Sequence, residues 1–424
     1  MALATMALTA VHSGPAMSAD FYKGKTVKII VGYSAGGGYD IYARILASNI
    51  GRYLPGKPRV IVQNMTGAGS LRAYNYLYNK APKDGTVFGT FGRGIPLMAL
   101  TSQGKNVRAD ASKFTWIGTP ASYAEDTYIL LARSATPIKN VNDLRKKGGY
   151  KLIVGTTAIG STGTDIPLVL RNVLGLNLKL LSGYPGGSAI NLGIERAEVD
   201  ARMLGLSSIN STKPQWLTST KIMRPLLQFA RKTRHPTMPD VPLASELARN
   251  DEDRALIQMM ELSFLMARPY AAPPGIPPER AKLLRTAFMK AANSKEYRDK
   301  AAKLGMEVTP KGGEEIQGMI EKLNSLPKKL IKRYENILAN PGLEPRKIVW
   351  VNASGKITKL AKKNRRVSFM SSGKTLKTRV EGGGYTKIKI GGKKANRRKL
   401  KVGMTCNVTY EGNNTGASLL DCKK

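Results

Sequence analysis

The sequence Thr26-Val-Lys-Ile-Ile-Val-Gly-Tyr33 runs directly into Ser34-Ala-Gly-Gly-Gly-Tyr-Asp40, and residues 41–54 follow with apolar side chains at helical spacing. A short apolar run rich in β-branched residues is typical of a buried strand, and a cluster of glycines is typical of a turn. The stretch therefore predicts a β-loop-α unit whose loop leaves the carboxyl end of the strand.

Similar units recur along the chain, with predicted loops at residues 64–70, 160–165 and 184–188, each after a predicted strand and before a predicted helix. Strands that alternate with helices predict a mostly parallel sheet with helices on both faces. Helices dominate the prediction from residue 243 to residue 338. One glycine-rich loop is weak evidence of a site, because glycine at such a corner is also needed for backbone geometry alone.

The chain has 424 residues and a net charge of +39, from 68 Lys and Arg against 29 Asp and Glu. This length predicts two or three domains, and a hydrophobic content of 42 % is enough to build their cores. The positive charge indicates an anionic partner, but it does not choose among small anions, nucleic acid and an envelope surface.

Several classes of catalytic site are disfavoured by residue content. The only histidines are His12 and His235, and the only cysteines are Cys406 and Cys422. A structural zinc site therefore lacks ligands, and a histidine-assisted hydrolase would have to rely on His235 alone. We expect no metal, no cofactor and no enzymatic activity.

Two nucleotide-binding motifs are incomplete. Ala19 and Ser368 occupy the first-glycine positions of the two sequences that end like a Walker A loop. A dinucleotide motif starting at Gly36 has Ile41 where its last glycine belongs. Both kinds of site are disfavoured.

The N-terminal segment predicts export. Residues 2–11 are apolar, and the small residues 16–19 follow Ser13-Gly-Pro15, which is the pattern of a secretory signal and its cleavage site. No Lys or Arg precedes the apolar stretch, so we expect the true start to lie upstream of Met1. The prediction is a signal-like segment over 1–19 and a soluble periplasmic protein; an ordinary disordered N-terminus is the alternative.

The pattern changes after residue 343. Residues 344–424 contain 21 Lys and Arg against four Asp and Glu, a net charge of +17. Five short β-like runs separated by glycine turns predict a small all-β, barrel-like domain of five strands; they are residues 348–351, 366–370, 375–380, 386–390 and 405–410. In an exported protein, Cys406 and Cys422 are expected to form a disulfide.

The partner of this basic domain stays open at the level of sequence. Single-strand nucleic acid binders stack bases on aromatic side chains, and only Trp350, Phe369, Tyr385 and Tyr410 are available here. An anionic envelope polymer or lipid headgroup is therefore favoured over nucleic acid. A solvated charged surface with no specific ligand is the alternative.

A family resemblance rests on the order of several motifs. They are Tyr33-Ser-Ala-Gly-Gly-Gly-Tyr-Asp40-Ile-Tyr-Ala-Arg44, Val62-Gln-Asn64-Met-Thr-Gly67-Ala68-Gly69, Asp84-Gly85-Thr86, Tyr184-Pro-Gly-Gly187, Glu198-Val-Asp200, Ala272-Pro-Pro-Gly275-Ile-Pro277 and Leu304-Gly305-Met-Glu307. In this order they resemble the extracytoplasmic solute-binding proteins of tripartite tricarboxylate transporters, the Bug family. The resemblance covers residues 21–338.

The resemblance implies an α/β, two-lobed type II periplasmic-binding-protein fold over residues 20–343. It places lobe one at about 21–120 with 235–340 and lobe two at about 121–234, with the ligand between them. The implied function is an extracytoplasmic receptor that binds a small carboxylate and delivers it to the subunits of a membrane permease. The alternatives are a protein that anchors or adheres to the envelope through the basic barrel, and a ligand sensor.

The resemblance and the loop chemistry together nominate a ligand site. Loops that point backbone N–H groups and a helix N-terminus at one spot favour a carboxylate. The candidates from lobe one are Ser34, Ala35, Gly36, Gly37, Gly38, Asp40, Asn64, Gly67, Ala68 and Gly69; those from lobe two are Ser161, Thr162, Gly163, Thr164, Gly186, Gly187 and Ser188.

Five side chains near these loops need separate interpretation. Arg202, at the end of a predicted strand, is a candidate for a second carboxylate. Asp40 is a candidate ligand contact or a helix N-cap. Tyr39 departs from the small hydroxyl residue that is common at this place in the family, and Met65-Thr66 departs from the usual basic residue and proline.

Overall fold

The structure is a computed structural model that describes residues 21–218, 222–346, 350–361, 363–380, 386–411 and 415–423. The signal-like segment predicted at 1–19 lies outside these residues. The chain divides into two compact units, with the boundary between Pro345 and Arg346. Each unit is described separately below.

The first unit contains two six-stranded sheets and the α-helices that cover them. In chain order the strands are β1 (Thr26–Val31), β2 (Arg59–Asn64), β3 (Val87–Thr90), β4 (Thr115–Thr119), β5 (Tyr128–Arg133), β6 (Leu152–Gly155), β7 (Leu178–Ser182), β8 (Ala201–Gly205), β9 (Met223–Phe229), β10 (Tyr270–Ala272), β11 (Lys311–Gly312) and β12 (Leu343–Pro345). The helices are α1 (Gly38–Ile50), α2 (Leu71–Asn79), α3 (Ile95–Ala99), α4 (Thr162–Leu174), α5 (Gly187–Glu195), α6 (Leu206–Thr212), α7 (Gln215–Thr218), α8 (Asp251–Leu262), α9 (Pro278–Asn293), α10 (Lys295–Ala302), α11 (Gly313–Asn324) and α12 (Lys328–Ala339).

The first sheet has the strand order β11-β4-β10-β3-β1-β2. Strand β1 pairs in parallel with β2 and β3, as the β-loop-α pattern predicted. Strand β10 pairs antiparallel with β3 and β4, and β11 pairs antiparallel with β4. The expectation of a mostly parallel sheet is therefore wrong here, because β10 and β11 rejoin this sheet after the chain has built the second one and are not products of βαβ crossovers.

The second sheet has the order β12-β7-β6-β8-β5-β9 and is also mixed. Strands β7, β6 and β8 are parallel neighbours, whereas β5 is antiparallel to both β8 and β9. Strand β12 pairs in parallel with β7, and the Tyr334 hydroxyl of α12 donates to Asp165 of α4 at 2.9 Å. The last helix and strand of this unit therefore attach to elements of the second sheet.

The opening β-loop-α unit shows why these residues fold as they do. Val27, Ile29, Ile30 and Val31 of β1 are buried, which suits a strand covered on both faces. Helix α1 begins three residues before its predicted start and buries one apolar stripe on the core. Each fully buried Leu or Ile side chain contributes about 1.5–3 kcal/mol through removal of apolar surface from water.

The second unit is a closed five-stranded barrel, as the sequence predicted. Its strands are β13 (Val351–Ala361), β14 (Arg366–Ser371), β15 (Lys374–Val380), β16 (Lys387–Ile390), β17 (Lys393–Lys394), β18 (Thr405–Tyr410) and β19 (Thr415–Cys422). The ring is β15-β14-β13-β18-β19, and β19 closes it by pairing in parallel with β15. Side chains that alternate inward, such as Ile357, Phe369 and Leu420, form its core.

The prediction is wrong about one member of the ring. The predicted run 386–390 corresponds to β16, which pairs with β19 and β17 outside the closed ring. The fifth ring member is instead β19, whose Thr, Gly and Ser residues weaken its hydrophobic alternation. The predicted disulfide is present and joins Cys406 of β18 to Cys422 of β19, which face each other across the strand pair. Tyr385 and residues 348–349 of the predicted run 348–351 lie outside the described residues.

Candidate functional site

Two of the predicted loops, one after β1 and one after β7, touch each other. The Ser34 amide donates to the Pro185 carbonyl at 3.3 Å, and the Ser34 and Ser188 hydroxyl oxygens lie 2.9 Å apart. Ser188 also donates to the Ala35 carbonyl at 2.9 Å. A Cβ on Gly186 would lie 2.8 Å from the Ser34 amide nitrogen, so only glycine allows this close approach. The carboxyl edges of the two sheets therefore face each other.

A second contact joins the loop after β2 to the loop before α4. The Tyr33 hydroxyl donates to the Gly69 carbonyl at 3.2 Å and lies 3.4 Å from the Ser161 hydroxyl oxygen. Tyr33 is buried, and burial raises its pKa, so its hydroxyl remains a donor at neutral pH. The four predicted loops thus meet as two pairs across the gap between the sheets.

A cavity of about 80 Å³ lies between these contacts. Predicted site residues that line it are Gly37, Gly38, Ser161, Thr162, Gly163, Gly187 and Arg202. The other predicted residues are not among its described lining residues; they are Ser34, Ala35, Gly36, Asp40, Asn64, Gly67, Ala68, Gly69, Thr164, Gly186 and Ser188. A more open hollow of about 530 Å³, lined by Arg231, His235 and Glu307 among others, contains none of the predicted loops.

Asp40 joins the two loops of the first sheet to each other. Its carboxylate accepts hydrogen bonds from the Gly36 amide at 2.8 Å, from the Asn64 side chain at 2.8 Å and from two nitrogens of Arg44 at 2.7 Å. The N-cap of α1 is Gly37, so Asp40 lies inside the first turn and is not the cap. Its oxygens are occupied by this network, which fixes the shape of loops 34–40 and 64–70.

Three arginines line the cavity, and two of them were missed by the sequence reasoning. Arg93 follows β3 and donates to the Ala267 carbonyl at 2.6 Å and to the Thr162 hydroxyl at 2.8 Å. Arg268 precedes β10 and donates to the Ser208 hydroxyl at 2.9 Å. Both are almost fully buried, at 2 % and 1 % exposure.

The third arginine, Arg202, reaches the cavity from β8 of the second sheet. It donates to the Gly187 carbonyl at 2.7 Å and to the Asn191 side chain at 2.5 Å. Burial lowers the pKa of Arg202 to about 10, which leaves it charged at neutral pH. Positive charge therefore lines the cavity from both sheets.

The guanidinium groups retain unused donors. Within the described part of the chain, Nε of Arg202 and both Nε and Nη1 of Arg268 are buried and have no hydrogen-bond partner. No Asp or Glu is among the described residues that line the cavity. Buried charges without partners are costly, so the positive charge around the cavity is not fully compensated by the described side chains.

Four tyrosines also line the cavity. The rings of Tyr33 and Tyr39 lie 4.7 Å apart, and those of Tyr123 and Tyr128 lie 5.4 Å apart. Arg93 lies over the Tyr123 ring, 4.7 Å from its centroid. Burial raises the pKa of Tyr39 and of Tyr128, so both hydroxyls stay protonated and able to donate to an anion.

Comparison with known proteins agrees with this architecture. The family model described as the tripartite tricarboxylate transporter family receptor, TctC, matches residues 42–335. The chain belongs to this family. The barrel, residues 346–424, lies outside the matched range.

Individual TctC relatives are distant in sequence but similar over most of their length. A UPF0065 protein from the gbd 5' region of Cupriavidus necator is 26 % identical over 315 residues, which are 72 % of this chain and 86 % of that protein. The periplasmic binding protein BugD has a TM-score of 0.58 at 20 % identity, covering 76 % of this chain and 100 % of its own. MatC of Rhodopseudomonas palustris, described with bound malate, has a TM-score of 0.55 at 21 % identity, covering 74 % of this chain and 98 % of its own.

A further R. palustris protein, described with adipate, has a TM-score of 0.57 at 20 % identity and covers 76 % of this chain and 98 % of its own. At these identities the likeness shows the fold, which confirms the two-lobed periplasmic-binding-protein architecture. TctC receptors are non-enzymatic solute-binding proteins of the periplasm, so this chain is a binding protein.

Two further features of the described residues concern membranes and metals. None of their helices combines the length and apolar character needed to cross a membrane. Within the same residues, no group of three or more His, Cys, Asp or Glu side chains is placed to hold a metal ion.

A sequence signal did exist for one of the two missed arginines, Arg93. Arg93 lies in Gly92-Arg93-Gly94, just after the predicted strand at 85–91, which is where ligand-binding side chains of α/β sheets occur. Arg268 could not be placed this way, because it precedes its strand. Since β10 runs antiparallel to β3, the residue before β10 reaches the same sheet edge as the residues after β3.

Proposed function

We propose that this TctC-family protein is an extracytoplasmic receptor that binds a small carboxylate between its two sheets and delivers it to a tripartite tricarboxylate-type permease. The observation that carries the proposal is the cavity lined by Arg93, Arg202 and Arg268. The malate and adipate described with two structural neighbours are also small carboxylates.

Binding of this kind needs no bond chemistry. A ligand favours closure only by as much as it binds the closed state better than the open state. The hydrogen bonds of Ser34 and Ser188 across the gap, and that of Arg93 to Thr162, join groups carried by opposite sheets. An anion that contacts arginines from both sheets would therefore favour the closed arrangement, which the permease subunits would recognise.

The test is a thermal-shift screen of the purified chain against mono-, di- and tricarboxylates at millimolar concentration, followed by calorimetry on each acid that raises the melting temperature. We expect at least one acid to stabilise the protein, because a ligand that binds only the folded state raises its stability by mass action. If no acid in any of the three classes changes the melting temperature or releases heat, the receptor proposal is wrong.

Export is the second part of the proposal and rests on residues 1–19. Expression of the chain with and without these residues, followed by separation of periplasm from cytoplasm, tests it. We expect the longer form to reach the periplasm and the shorter form to remain inside. Equal distribution of both forms would remove this part of the proposal.

A second candidate function is attachment to an anionic envelope surface through the barrel. It is favoured by the segment 393–401, in which Lys393, Lys394, Arg398, Lys399 and Lys401 are exposed and no acidic residue occurs. Cations on a compact domain attract anionic headgroups within about 10 Å at ordinary ionic strength.

The test of this second function is co-sedimentation of the whole chain with vesicles of phosphatidylglycerol or of phosphatidylcholine. We expect salt-sensitive binding to the anionic vesicles only, and loss of binding when Lys393, Lys394, Arg398 and Lys399 are replaced by Gln. The matched control replaces Lys282, Lys290, Lys295 and Lys303 of the first unit. Binding that is unaffected by the barrel substitutions would exclude the attachment function.

A further inference from the structure

The strands of the barrel are connected in an order that indicates where a ligand would lie. Numbered along the chain, the ring strands β13, β14, β15, β18 and β19 follow one another around the ring in the order 1-2-3-5-4. The third and fifth strands are parallel, and the other neighbouring pairs of the ring are antiparallel. This is the connectivity of the OB-fold. By analogy with that fold, a ligand would lie on the outer surface of the second and third strands, beside the loop between the first and second.

The outer surface of β13, β14 and β15 is basic. Val367 and Phe369 of β14 point into the barrel core, so the residues that alternate with them point outward. The strand register places the outward residues of β13 and β15 beside those of β14. We name this surface the basic face, and it includes Lys356, Lys359, Arg366, Ser368, Lys377 and Arg379.

Acidic residues are scarce in this unit. The strands β13, β14 and β15 contain no Asp or Glu, and residues 346–424 hold 21 Lys and Arg against three acidic residues. Glu411 is paired with Arg346 at 2.7 Å, and Asp421 lies on β19, opposite Asn407 of β18. The third, Glu381, lies outside the described residues. The side chains described on the basic face therefore favour an anionic partner.

The loop between β13 and β14 extends the basic face and has a defined shape. Lys363 and Arg365 of this loop are exposed. The Asn364 side chain donates to the carbonyls of Arg397 and Leu400, both at 3.0 Å, and Nε of Arg397 donates to the Lys363 carbonyl at 3.2 Å. Because these hydrogen bonds already order the loop, a ligand that contacts it loses less affinity to the cost of ordering.

The uncharged residues of the basic face distinguish between kinds of polyanion. Single-stranded nucleic acids gain affinity when bases stack on aromatic side chains. The basic face contains none, because Phe369 of β14 is fully buried. Ser368 lies between Lys359 and Lys377 on strands about 4.8 Å apart, so its hydroxyl has a cation on either side. A sugar that carries a carboxylate offers partners for both groups, an anion for the cations and hydroxyls for the serine.

We propose that the basic face binds an acidic polysaccharide with a carboxylate on each sugar. Lys356, Lys359 and Arg366 contact the carboxylates, and Ser368 contacts the sugar hydroxyls. The inference goes beyond the carboxylate receptor, whose cavity lies in the first unit. It also differs from attachment to lipid through segment 393–401, because it uses other residues and another class of partner.

The test is fluorescence anisotropy of a labelled polygalacturonate oligomer titrated with the whole chain. We expect binding that weakens as salt is added, because exposed charges are screened. A dextran oligomer of the same length has hydroxyls but no carboxylates, and it should not bind. Monomeric galacturonate should not displace the oligomer at an equal concentration of sugar, since a single carboxylate contacts only one or two cations.

A triple variant assigns the binding to the basic face. We expect about tenfold weaker binding, because each exposed ion pair contributes modestly and three are lost together; the changes are Lys356→Gln, Lys359→Gln and Arg366→Gln. These side chains are all exposed, so the near-ultraviolet circular dichroism of the barrel should be unchanged.

The matched control removes the same charges elsewhere on the barrel. Lys393→Gln, Lys394→Gln and Arg398→Gln together also replace two lysines and one arginine, and these three side chains are exposed outside the basic face. We expect this variant to weaken polygalacturonate binding less than about twofold, because screening confines its effect to about 10 Å.

Each contrary outcome identifies a different error. Equal weakening by the two triple variants would mean that the oligomer responds only to net charge, which overturns the basic face as a site. Tighter binding of a thymidine oligonucleotide of equal charge overturns the choice of polysaccharide over nucleic acid. Displacement by monomeric galacturonate places the binding in a site for single carboxylates, and absence of binding to polygalacturonate overturns the whole inference. None of these results affects the thermal-shift test of the receptor.

Discussion

Asp165 provides a quantitative test of how burial shapes the stability of the first unit. This carboxyl group is fully buried beneath loop 160–165, where it accepts hydrogen bonds from the Gly160 amide at 3.0 Å and from the Tyr334 hydroxyl at 2.9 Å. Burial raises the pKa of Asp165 to about 7, and the two hydrogen bonds only partly oppose the shift. Asp165→Asn removes the titration but keeps the size of the side chain and an oxygen that can accept from Gly160.

The direction of the effect follows from proton binding. In the unfolded chain the carboxyl has its ordinary pKa of 3.8, so between pH 3.8 and about 7 the folded state binds more protons. The free energy of unfolding therefore falls as the pH rises through that window. From about pH 5 to about pH 8 the loss due to Asp165 is about 2.5 kcal/mol, at about 1.4 kcal/mol for each pH unit below the folded pKa.

The assay is urea denaturation followed by tryptophan fluorescence at about pH 5 and about pH 8. Replacing Trp350 of the barrel by Phe leaves only Trp116 and Trp216, which are both buried in the first unit and so report its unfolding alone. The variant should lose about 2.5 kcal/mol less than the parent over this pH range.

Glu261 is a second carboxyl group of the first unit with a raised pKa, and it allows the same measurement. Burial raises the pKa of Glu261 to about 7 as well, so Glu261→Gln should remove a similar part of the pH dependence, additively with Asp165→Asn. If the parent and Asp165→Asn lose the same free energy between the two pH values, the assignment of a raised pKa to Asp165 is refuted.

Three further predictions concern other parts of the chain. Replacing Cys406 and Cys422 by Ser should lower the stability of the barrel by about 3 kcal/mol, because the disulfide closes a loop with a sequence separation of 16 residues; calorimetry measures this, and an unchanged barrel transition would contradict it. Gly313→Ala should destabilise the first unit by about 2 kcal/mol, because the new Cβ would lie 2.0 Å from the Trp116 carbonyl oxygen, whereas Gly318→Ala in the same helix meets no atom within 4 Å and should stabilise it by up to about 1 kcal/mol; urea denaturation that ranks the two variants in the other order would refute the packing argument. Ser188→Ala should weaken binding of the stabilising carboxylate about tenfold, since it removes hydrogen bonds across the cleft, and calorimetry that shows unchanged affinity would count against closure through this contact.

The positions of the strands and helices were largely predictable, because the pattern of apolar and polar residues within each segment specifies them. The strand at 26–33 and the glycine-rich loop after it correspond closely to β1 and its turn, since a run of buried β-branched residues has few alternatives. Strand direction was not predictable in the same way. The three residues of β10 carry no periodic signal, and their antiparallel pairing depends on a chain path through the whole second sheet.

The loops around the cavity were predictable, but of its three arginines only Arg202 was predicted from the sequence. Glycine at a strand-helix corner marks where backbones approach, and the approach of Gly186 to Ser34 bears this out geometrically. An arginine outside such a position has no signal of this kind, because most arginines in a basic chain are solvated and burial distinguishes a cavity residue from a surface residue. Arg268 is distinguished by 1 % exposure, a property of the folded chain that its neighbours in sequence do not determine.

The net charge of +39 combines two groups of basic residues that act in different surroundings. One group is exposed to water, and the other lines the cavity. Exposed cations, such as those of segment 393–401, act through water, where screening limits them to about 10 Å and weakens their preference for one anion over another. Arg93, Arg202 and Arg268 are few among 68 basic residues, yet all three line one cavity, and Arg93 and Arg268 are almost fully buried. Electrostatic interactions strengthen several-fold in such surroundings, because the effective dielectric constant falls well below that of water. We therefore expect selectivity for an anionic ligand to depend on these three arginines, and we expect the exposed cations to attract anions of any kind.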